Sequence, residues 1–235
     1  MSGPDDGTPA AEFDSFADNY SEALKAGLSV TGETQEYYAA ERVRLTARRV
    51  LNTRTKIDRV LDFGCGQGSS TPLLLEELGA SSAVGADVSD GLLEIARMKN
   101  NDSRVSYIST DELQTVEQFD CVYMNGVLHH VPAPDRIMAV LQVYNALRPG
   151  GLFALWENNP WNPGTRYVMS RIPFDRDAIM LDIPESQSLL KEGGFEMIST
   201  DTLFFFPRLL SPLRPLEKFL SPTRLGGQYM IVGRK

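Results

Sequence analysis

The sequence has little of several residue types, and each shortage excludes a class of protein. Its two cysteines, Cys65 and Cys121, form no CxxC motif, so we predict neither a disulfide framework nor a metal site. Lys and Arg total 23 against 31 Asp and Glu, a formal net charge of −8, which argues against a nucleic-acid partner. No run approaches the roughly 18 consecutive apolar residues of a membrane span. We expect a cytoplasmic protein without a membrane span.

The amino-terminal region divides into a tail and a helical segment. Residues 1–12 are rich in Gly, Pro and Asp and lack a basic stretch followed by an apolar one, so they predict a disordered tail and not a signal peptide. Apolar residues spaced among arginines in Glu41–Val50 indicate a half-buried helix. We assign residues 13–235 to a single domain in which residues 13–50 form a helical lid.

From residue 59 onward, short strands alternate with helices. Ser70, Thr71 and Pro72 predict a hydroxyl-capped helix start, and Pro149 to Gly151 predict the end of a later helix. Such alternation predicts a parallel sheet with right-handed crossovers and helices on both faces. The predicted strands are residues 59–63, 82–87, 105–108, 120–124 and 152–156.

The last third of the chain has a different pattern. Residues 158–183 are rich in Pro, Asn and Arg without a clear period, and we interpret them as a substrate-side insert. A helix is predicted over residues 184–192. Two apolar stretches, residues 195–206 and 228–232, indicate a hairpin-like unit that closes one edge of the sheet.

A glycine-rich turn follows the first predicted strand. Gly64, Gly66 and Gly68 have GxGxG spacing, unlike the GxGxxG dinucleotide fingerprint, and no GKS or GKT of a P-loop follows. Asp62 lies two residues before the turn, where a carboxylate would disfavour a pyrophosphate and favour a ligand with a cationic head. In an open α/β sheet, ligands bind at the carboxyl ends of strands.

Two further acidic residues lie at strand ends. Asp87 follows Gly68 by 19 residues and can accept hydrogen bonds from both ribose hydroxyls of a nucleoside. Asp111 follows the third strand and could accept from an adenine amine. The three carboxylates together imply a phosphate-free, positively charged adenosine derivative, which describes S-adenosylmethionine (SAM).

These motifs, with Asn125-Gly-Val-Leu-His-His130 and Leu147-Arg-Pro-Gly-Gly151, resemble those of the class I SAM-dependent methyltransferases. Phe13, Asp14, Ala17 and Tyr20 resemble the ubiquinone/menaquinone-type branch, and Trp156–Pro163 resembles a bacterial small-molecule subgroup with Asn158 in place of a histidine. The resemblance implies a Rossmann-like doubly wound α/β fold with seven strands in the order 3-2-1-4-5-7-6 and strand 7 antiparallel. It also implies that SAM, which becomes S-adenosylhomocysteine, is bound by Asp62, Gly64, Cys65, Gly66, Asp87, Val88, Asp111, Glu112 and Asn125, with Tyr20, Tyr37 or Tyr38 closing over it.

The two histidines of the chain are adjacent, and we interpret them differently. His129 is interpreted as packing under the sheet, whereas His130 is expected to face the methyl donor and act as a general base. Glu157 is the reserve base, with a carboxylate bonded to backbone amides as its alternative.

We therefore predict methyl transfer from SAM to an O, N or C atom of a small-molecule acceptor, such as a natural product or a quinone-like compound. One alternative is a SAM-binding protein of the same fold with a non-methylating or regulatory role. Another is an NAD-dependent oxidoreductase, against which the glycine spacing and Asp62 argue. A monomer and a homodimer are both compatible with the sequence.

Overall fold

A computed structural model describes Asp14 and residues 19–113, 119–176 and 178–235. The predicted tail, residues 1–12, lies outside this part of the chain. The strands of the described residues are β1 (Arg59–Phe63), β2 (Ser82–Asp87), β3 (Val105–Ser109), β4 (Phe119–Asn125), β5 (Leu147–Asn158), β6 (Glu196–Leu203) and β7 (Gln228–Arg234).

These strands form one seven-stranded sheet in the order β3-β2-β1-β4-β5-β7-β6. Strands β1 to β5 pair in parallel, whereas β7 runs antiparallel to both β5 and β6. The predicted order, the antiparallel seventh strand and the Rossmann-like α/β class are confirmed. The hairpin-like pair at one edge is β6 with β7.

The α-helices of the same residues are α1 (Tyr20–Leu28), α2 (Gln35–Asn52), α3 (Thr71–Leu78), α4 (Asp90–Lys99), α5 (Arg136–Ala146), α6 (Pro163–Met169), α7 (Ile183–Glu192) and α8 (Glu217–Leu220). Several begin at a side chain that satisfies a free backbone amide. Ser89 accepts from the Leu92 amide at the start of α4, and Asp182 accepts from the Glu185 amide at the start of α7. Gly79 ends α3 with φ +64, a left-handed conformation that suits glycine.

Two local predictions are wrong in detail. Ser70 does not cap α3 with its side chain, and the Thr71 hydroxyl instead donates to Asp62. The long helix α5 ends at Ala146, so Pro149 to Gly151 lie within the assigned β5 and do not end the helix. The reason is long-range: the Gly150 amide donates to the Lys235 carbonyl, and the Lys235 amide donates to Gly151.

Apolar cores cover both faces of the sheet. One face packs Leu61, Val122 and Phe153 against residues of α5 and α7, including Val140 and Leu190. The other face packs Val60, Cys121 and Trp156 against α2 and α3, which include Val43 and Leu74. Because every central strand is covered on both sides, the polar strand ends at one rim are the part of the sheet available for chemistry. No helix in the described ranges is long and apolar enough to cross a bilayer.

Candidate functional site

The glycine turn after β1 is bent tightly against the end of β2. The amides of Gly64 and Cys65 both donate to the Ala86 carbonyl, at 2.7 and 3.0 Å. Gly64 has φ +73, and a Cβ there would lie 2.3 Å from Cγ2 of Val127. Gly64 therefore combines a left-handed backbone with a contact that leaves no room for a side chain.

Asp87 fixes the far side of this turn. Its carboxylate accepts from the Gly66 amide at 2.7 Å and from the Ser89 amide at 3.0 Å. Burial is the largest influence and raises the pKa of Asp87, against the opposing effect of these amides. The side chain lines a cavity of about 510 Å³, beside Val88. Asp87 and Val88 thus lie where the sequence places them, at the open end of β2.

That first cavity has largely apolar walls. It is bounded by the glycine turn on one side and by α5 on the other. Such a slot suits a flat, weakly polar ring system held by a few directed hydrogen bonds. Its apolar lining includes Phe63, Leu92, Leu113, Val127 and Leu141.

Asp111 and Glu112 are both exposed. Neither lines the first cavity, although their neighbours Thr110 and Leu113 do. The Glu112 carboxylate instead folds back to accept from the Ser109 amide, closing a capping box on the short 3-10 turn Thr110–Glu112. The structure therefore gives no contact between these carboxylates and the slot.

Asp62 lies under the glycine turn in a different, smaller cavity of about 70 Å³. It is 2% exposed and accepts from the Thr71 hydroxyl at 2.7 Å. Burial raises the pKa of Asp62 to about 7. Cys65, a residue of the turn, lines this same small cavity.

The small cavity also contains polar atoms that lack partners. Nε of Arg42 and the hydroxyl of Tyr123 are buried and make no hydrogen bond within the described ranges. Both residues line the cavity, opposite the Asp62 carboxylate. Buried polar groups are nearly always satisfied in native proteins, so this pair indicates space for a polar ligand. A cation and a carboxylate in one cavity suit a group that carries both charges.

A third cavity, of about 450 Å³, lies between the helical lid and the 158–183 segment. Tyr38 lines this cavity and not the first one. The reason is the packing of α2 against the carboxyl-terminal segment: the Tyr38 ring meets Phe204 edge to face at 5.0 Å. Tyr37 lies outside the three cavities, under the Arg214 guanidinium at 4.8 Å.

The three cavities meet at Tyr20 and Asn125, which line all of them. Tyr20 stacks on Phe174 with ring centroids 4.8 Å apart, and its hydroxyl lies 3.9 Å from the position of a Cβ on Gly66. His130 and Gly126 line both large cavities. The junction is therefore lined by Tyr20 of α1 and by Asn125 at the end of β4, and His130 lies at its border.

The histidine pair and two carboxylates form a buried polar network. Nδ1 of His129 lies 2.6 Å from Oε2 of Glu157, and Nε2 of His130 lies 3.2 Å from Oδ1 of Asp175. Nε2 of His129 lies 3.7 Å from the same Asp175 oxygen. His129 is buried, as interpreted from the sequence, but it is part of this network and lines the third cavity.

Glu157 does not occupy the position expected of a reserve base. It is 1% exposed, lines none of the three cavities among the described residues, and accepts from both the Leu128 amide at 2.8 Å and His129. Its side chain points beneath the 3-10 turn Leu128–His130, because β5 pairs with β4 in a register that brings Glu157 under that turn. The alternative, a carboxylate bonded to backbone, describes Glu157 better.

The ionisable groups of this network shift one another's pKa values. Burial lowers the pKa of His129, but Glu157 and Asp175 outweigh it and raise that pKa to about 10. Burial raises the pKa of Asp175, but both histidines outweigh it and the pKa falls below its usual value. The contacts with Glu157 and Asp175 therefore favour the protonated form of the buried His129.

Sequence reasoning missed Arg42 and Asp175 as site residues. Arg42 lies on a helix whose arginines have no distinguishing local pattern, and it reaches the site because α2 packs against the sheet. Asp175 lies in a Pro-rich segment with no period, in the short 3-10 turn Pro173–Asp175. Its place beside a proline and a phenylalanine gives no local signal of its contact with the histidines, which are 45 and 46 positions away in the chain.

Comparisons with known proteins show what the part of the chain that forms this rim is similar to. Residues 60–151 match a family model described as a methyltransferase domain. A trans-aconitate 2-methyltransferase of Azoarcus sp. (strain BH72) is 30% identical over 150 residues, 61% of this chain and 57% of that protein. The enzyme of that name from Escherichia coli O157:H7 is 28% identical over 179 residues, 72% of this chain and 69% of that protein. The chain spans less than half of the first relatives that it matches, which carry the same name.

Solved structures share the fold at lower identity. A magnesium protoporphyrin IX methyltransferase from Synechocystis PCC 6803, solved with S-adenosylhomocysteine, is 14% identical with a TM-score of 0.65, covering 96% of this chain and 97% of that one. A SAM-dependent methyltransferase from Thermotoga maritima is 20% identical with a TM-score of 0.62, covering 95% and 97%. Residues 60–151 of this chain therefore match a methyltransferase domain, and its seven-stranded sheet has the fold of solved methyltransferases.

Proposed function

We propose that this protein transfers the methyl group of SAM to an O, N or C atom of a small-molecule acceptor held in the third cavity. The observation that carries the proposal is the convergence of three differently built cavities on Tyr20 and Asn125. An apolar slot, a small charged cavity and a mixed cavity meet at one point. Group transfer needs such a junction, because donor and acceptor atoms must be held in contact.

The residues present fit SAM. In the first cavity, Asp87 would accept from the ribose hydroxyls and Val88 would flank adenine. In the small cavity, Asp62 would accept from the ammonium of the methionine end, while Arg42 would bind its carboxylate through the guanidinium that now lacks a partner at Nε. The glycine turn, residues Gly64, Cys65 and Gly66, would lie along the part of SAM between its adenosine and methionine ends. A side chain at Gly64 would have no space there.

Asp111 and Glu112 would contact the cofactor only through their backbone atoms. Because their carboxylates do not line the slot, the adenine end would be met by the neighbouring Thr110 and Leu113 and by main-chain atoms of the turn. Asn125 would offer polar atoms at the junction, and Tyr20 would cover it from the lid.

SAM, when bound, supplies an electrophilic methyl carbon on a sulfonium that leaves as a neutral thioether. The protein therefore has to bring the acceptor into line, to exclude water and, for an acceptor that loses a proton, to receive it. His130 borders both large cavities, and we propose that it receives the proton that the acceptor loses. Asp175, 3.2 Å from Nε2 of His130, would stabilise the imidazolium that forms. His129 and Glu157 position Asp175 and the turn that presents His130.

The third cavity favours an acceptor other than the one in the relatives' names. Aconitate carries three carboxylates, whereas the basic side chains lining this cavity in the described ranges are Arg42, His129 and His130. The charge of His129 is already matched by Glu157 and Asp175. Aromatic and aliphatic side chains form much of the remaining wall, including Tyr38, Val168, Ile172, Phe204 and Phe205. We infer an acceptor with an apolar, ring-containing body and a hydroxyl or amine directed at His130.

The experiment is a screen of phenols, hydroquinones and aromatic amines in which mass spectrometry detects a mass gain of one methylene and release of S-adenosylhomocysteine. With an acceptor in hand, His130→Ala should lower turnover about 10²- to 10⁴-fold, because the acceptor proton loses its recipient. The affinity for S-adenosylhomocysteine, measured by calorimetry, should stay within about twofold of wild type.

Two outcomes would contradict the proposal at different levels. Unchanged turnover in His130→Ala would remove this residue from the reaction while leaving methyl transfer intact. Calorimetric binding of S-adenosylhomocysteine without any methylated product would support the alternative, a SAM-binding protein that does not methylate. A lack of heat with S-adenosylhomocysteine would overturn the cofactor assignment itself.

A further inference from the structure

One surface segment exposes more apolar side chain than its surroundings. We call residues 208–223 the cap segment; it consists of the 3-10 turns Arg208–Leu216 and Ser221–Thr223 with α8 between them. Leu209 is 90% exposed and Phe219 is 69% exposed. Leu210, Leu213 and Leu216 are also exposed. Single exposed leucines are ordinary, but a contiguous set in one short segment marks an interaction surface.

These residues occur in successive turns of the segment, with Leu209 next to a kink at Leu210. Leu210, Leu213, Leu216 and Phe219 recur every three positions, which is the length of one 3-10 turn. Pro212 and Pro215 fix the backbone between them, so the segment presents its apolar side chains without first having to order itself. The result is a preformed apolar ridge on the outside of the protein.

Basic residues accompany this ridge. Residues 207–225 contain four basic side chains and one acidic side chain, in a chain whose formal net charge is −8. Arg208, Lys218 and Arg224 are exposed, whereas the acidic residue, Glu217, turns back to accept from the Phe206 amide. The ridge is therefore locally positive on an otherwise acidic protein, and its charge complements an anionic surface.

The ridge continues into the mouth of the acceptor cavity. Phe204 to Pro207 line that cavity and lead directly into the cap segment. Val30, which is 46% exposed, also lines the cavity mouth, and the Arg208 guanidinium lies 3.4 Å from the neighbouring Gly32 carbonyl. Trp161 is 43% exposed beside Asn162, whose amide donates to the Leu225 carbonyl. An amphipathic indole at the border of such a ridge suits a bilayer interface.

We propose that the cap segment docks the protein on an anionic lipid bilayer. Leu209, Leu213 and Phe219 enter the interface, while Arg208 and Lys218 contact the headgroups. A second copy of the chain fits less well, because an isologous dimer would bring the same positive ridge against itself. Docked this way, the acceptor cavity opens toward the bilayer, from which an apolar acceptor can enter. The docking itself does not depend on the proposed methyl transfer.

Flotation with vesicles tests the proposal on the full chain. Vesicles of phosphatidylcholine with one third phosphatidylglycerol should carry the wild-type protein upward, and vesicles of phosphatidylcholine alone should carry far less. Leu209→Ser with Phe219→Ser should lower binding at least about tenfold, since two large apolar groups no longer enter the interface. Arg208→Glu with Lys218→Glu should abolish the preference for phosphatidylglycerol, and high salt should weaken wild-type binding.

Matched controls keep a negative result interpretable. Leu51→Ser with Met98→Ser changes two exposed apolar residues on α2 and α4, and this variant should float like wild type. Calorimetry with S-adenosylhomocysteine checks that each variant keeps its folded rim, because the cap segment lines none of the cavities assigned to the cofactor. Equal flotation with both vesicle types, or equal binding by the cap and control variants, would overturn the proposal. So would a dimer, seen by ultracentrifugation, that the cap variants dissociate while no vesicle binds the wild type.

Discussion

The cofactor rim and the acceptor side of this site are built in different ways. The rim follows β1, β2 and β4 directly, and its positions are fixed by short backbone contacts such as the Gly64 and Cys65 amides on the Ala86 carbonyl. The acceptor side is assembled from α1, α2, the 158–183 segment and the residues after β6. The strand ends set the positions of the rim residues, whereas long-range packing sets those of the residues on the acceptor side. Local sequence patterns can therefore predict the side built from strand ends, whereas they cannot predict the side built by packing.

The two sides meet in the network of Glu157, His129, Asp175 and His130. Its members come from the end of β5, the turn after β4 and the insert, so it joins the rim to the acceptor side. A break in this network should therefore have the largest effect of any single substitution considered for this site.

The strongest test is Glu157→Ala. It leaves the buried His129 imidazolium with one carboxylate fewer, and we expect a loss of about 3–5 kcal/mol in the free energy of unfolding in urea. Because the folded pKa of His129 is raised to about 10, its contribution is complete below the unfolded pKa and is lost as pH rises through the folded one. The deficit of the variant should therefore be larger near about pH 6 than near about pH 10.

Glu157→Gln is the matched control for that prediction. The amide keeps an acceptor for Leu128 or His129, so its deficit should be smaller than that of alanine. An unfolding free energy equal to wild type in both variants, together with lost turnover, would restore Glu157 as a base and contradict a positioning role.

The next largest effect is expected at the glycine turn. Gly64→Ala combines a left-handed backbone, about 1–2 kcal/mol for a residue with a Cβ, with an overlap on Val127 that adds about 1–3 kcal/mol. Gly79→Ala has a similar backbone, φ +64, but no atom within 4 Å of its Cβ. Denaturant unfolding should show the backbone effect in both variants and the overlap in Gly64→Ala alone. Equal losses would mean that Val127 moves aside.

A smaller, pH-dependent effect concerns Asp62 and rests on the proposed binding of SAM. Its pKa of about 7 means that the carboxylate takes up a proton as pH falls through neutrality. Affinity for S-adenosylhomocysteine should then decrease by up to about tenfold per pH unit below that value, because the ligand ammonium loses an ionised acceptor. Calorimetry across this pH range measures the slope. Asp62→Asn should be weaker at high pH and flat, and a wild-type profile without slope would separate Asp62 from the ammonium.

The smallest effect is expected at Tyr38. Because it lines the acceptor cavity and not the slot, Tyr38→Ala should change the affinity for S-adenosylhomocysteine by less than about 0.5 kcal/mol, or about twofold. Tyr20→Ala, which removes the residue shared by all three cavities, should weaken that affinity more. A large loss of affinity in Tyr38→Ala would instead support a contact between Tyr38 and the cofactor, as predicted from the sequence.

The sequence predicted the sheet and the rim because both depend on local patterns. Alternating strands and helices, with glycines after β1, restrict the chain to an open α/β sheet, and the strand ends are then the place of the site. Asp87, Val88 and Asn125 lie at those ends and line cavities. Asp111 also follows a strand but does not line the slot, because the 3-10 turn after β3 directs its side chain outward. The position of a residue after a strand does not by itself fix the rotation of a turn.

Local patterns in the sequence were enough to predict the alternation of strands and helices and which rim of the sheet is polar. Only tertiary packing brings together side chains from distant parts of the chain: Arg42 and Asp62 line one small cavity, Asp175 contacts His130, and Glu157 contacts His129. The physical reason is that periodicity and turn chemistry act over a few residues. Contacts between side chains far apart in the chain depend on the packing of whole helices and loops, which no local pattern encodes.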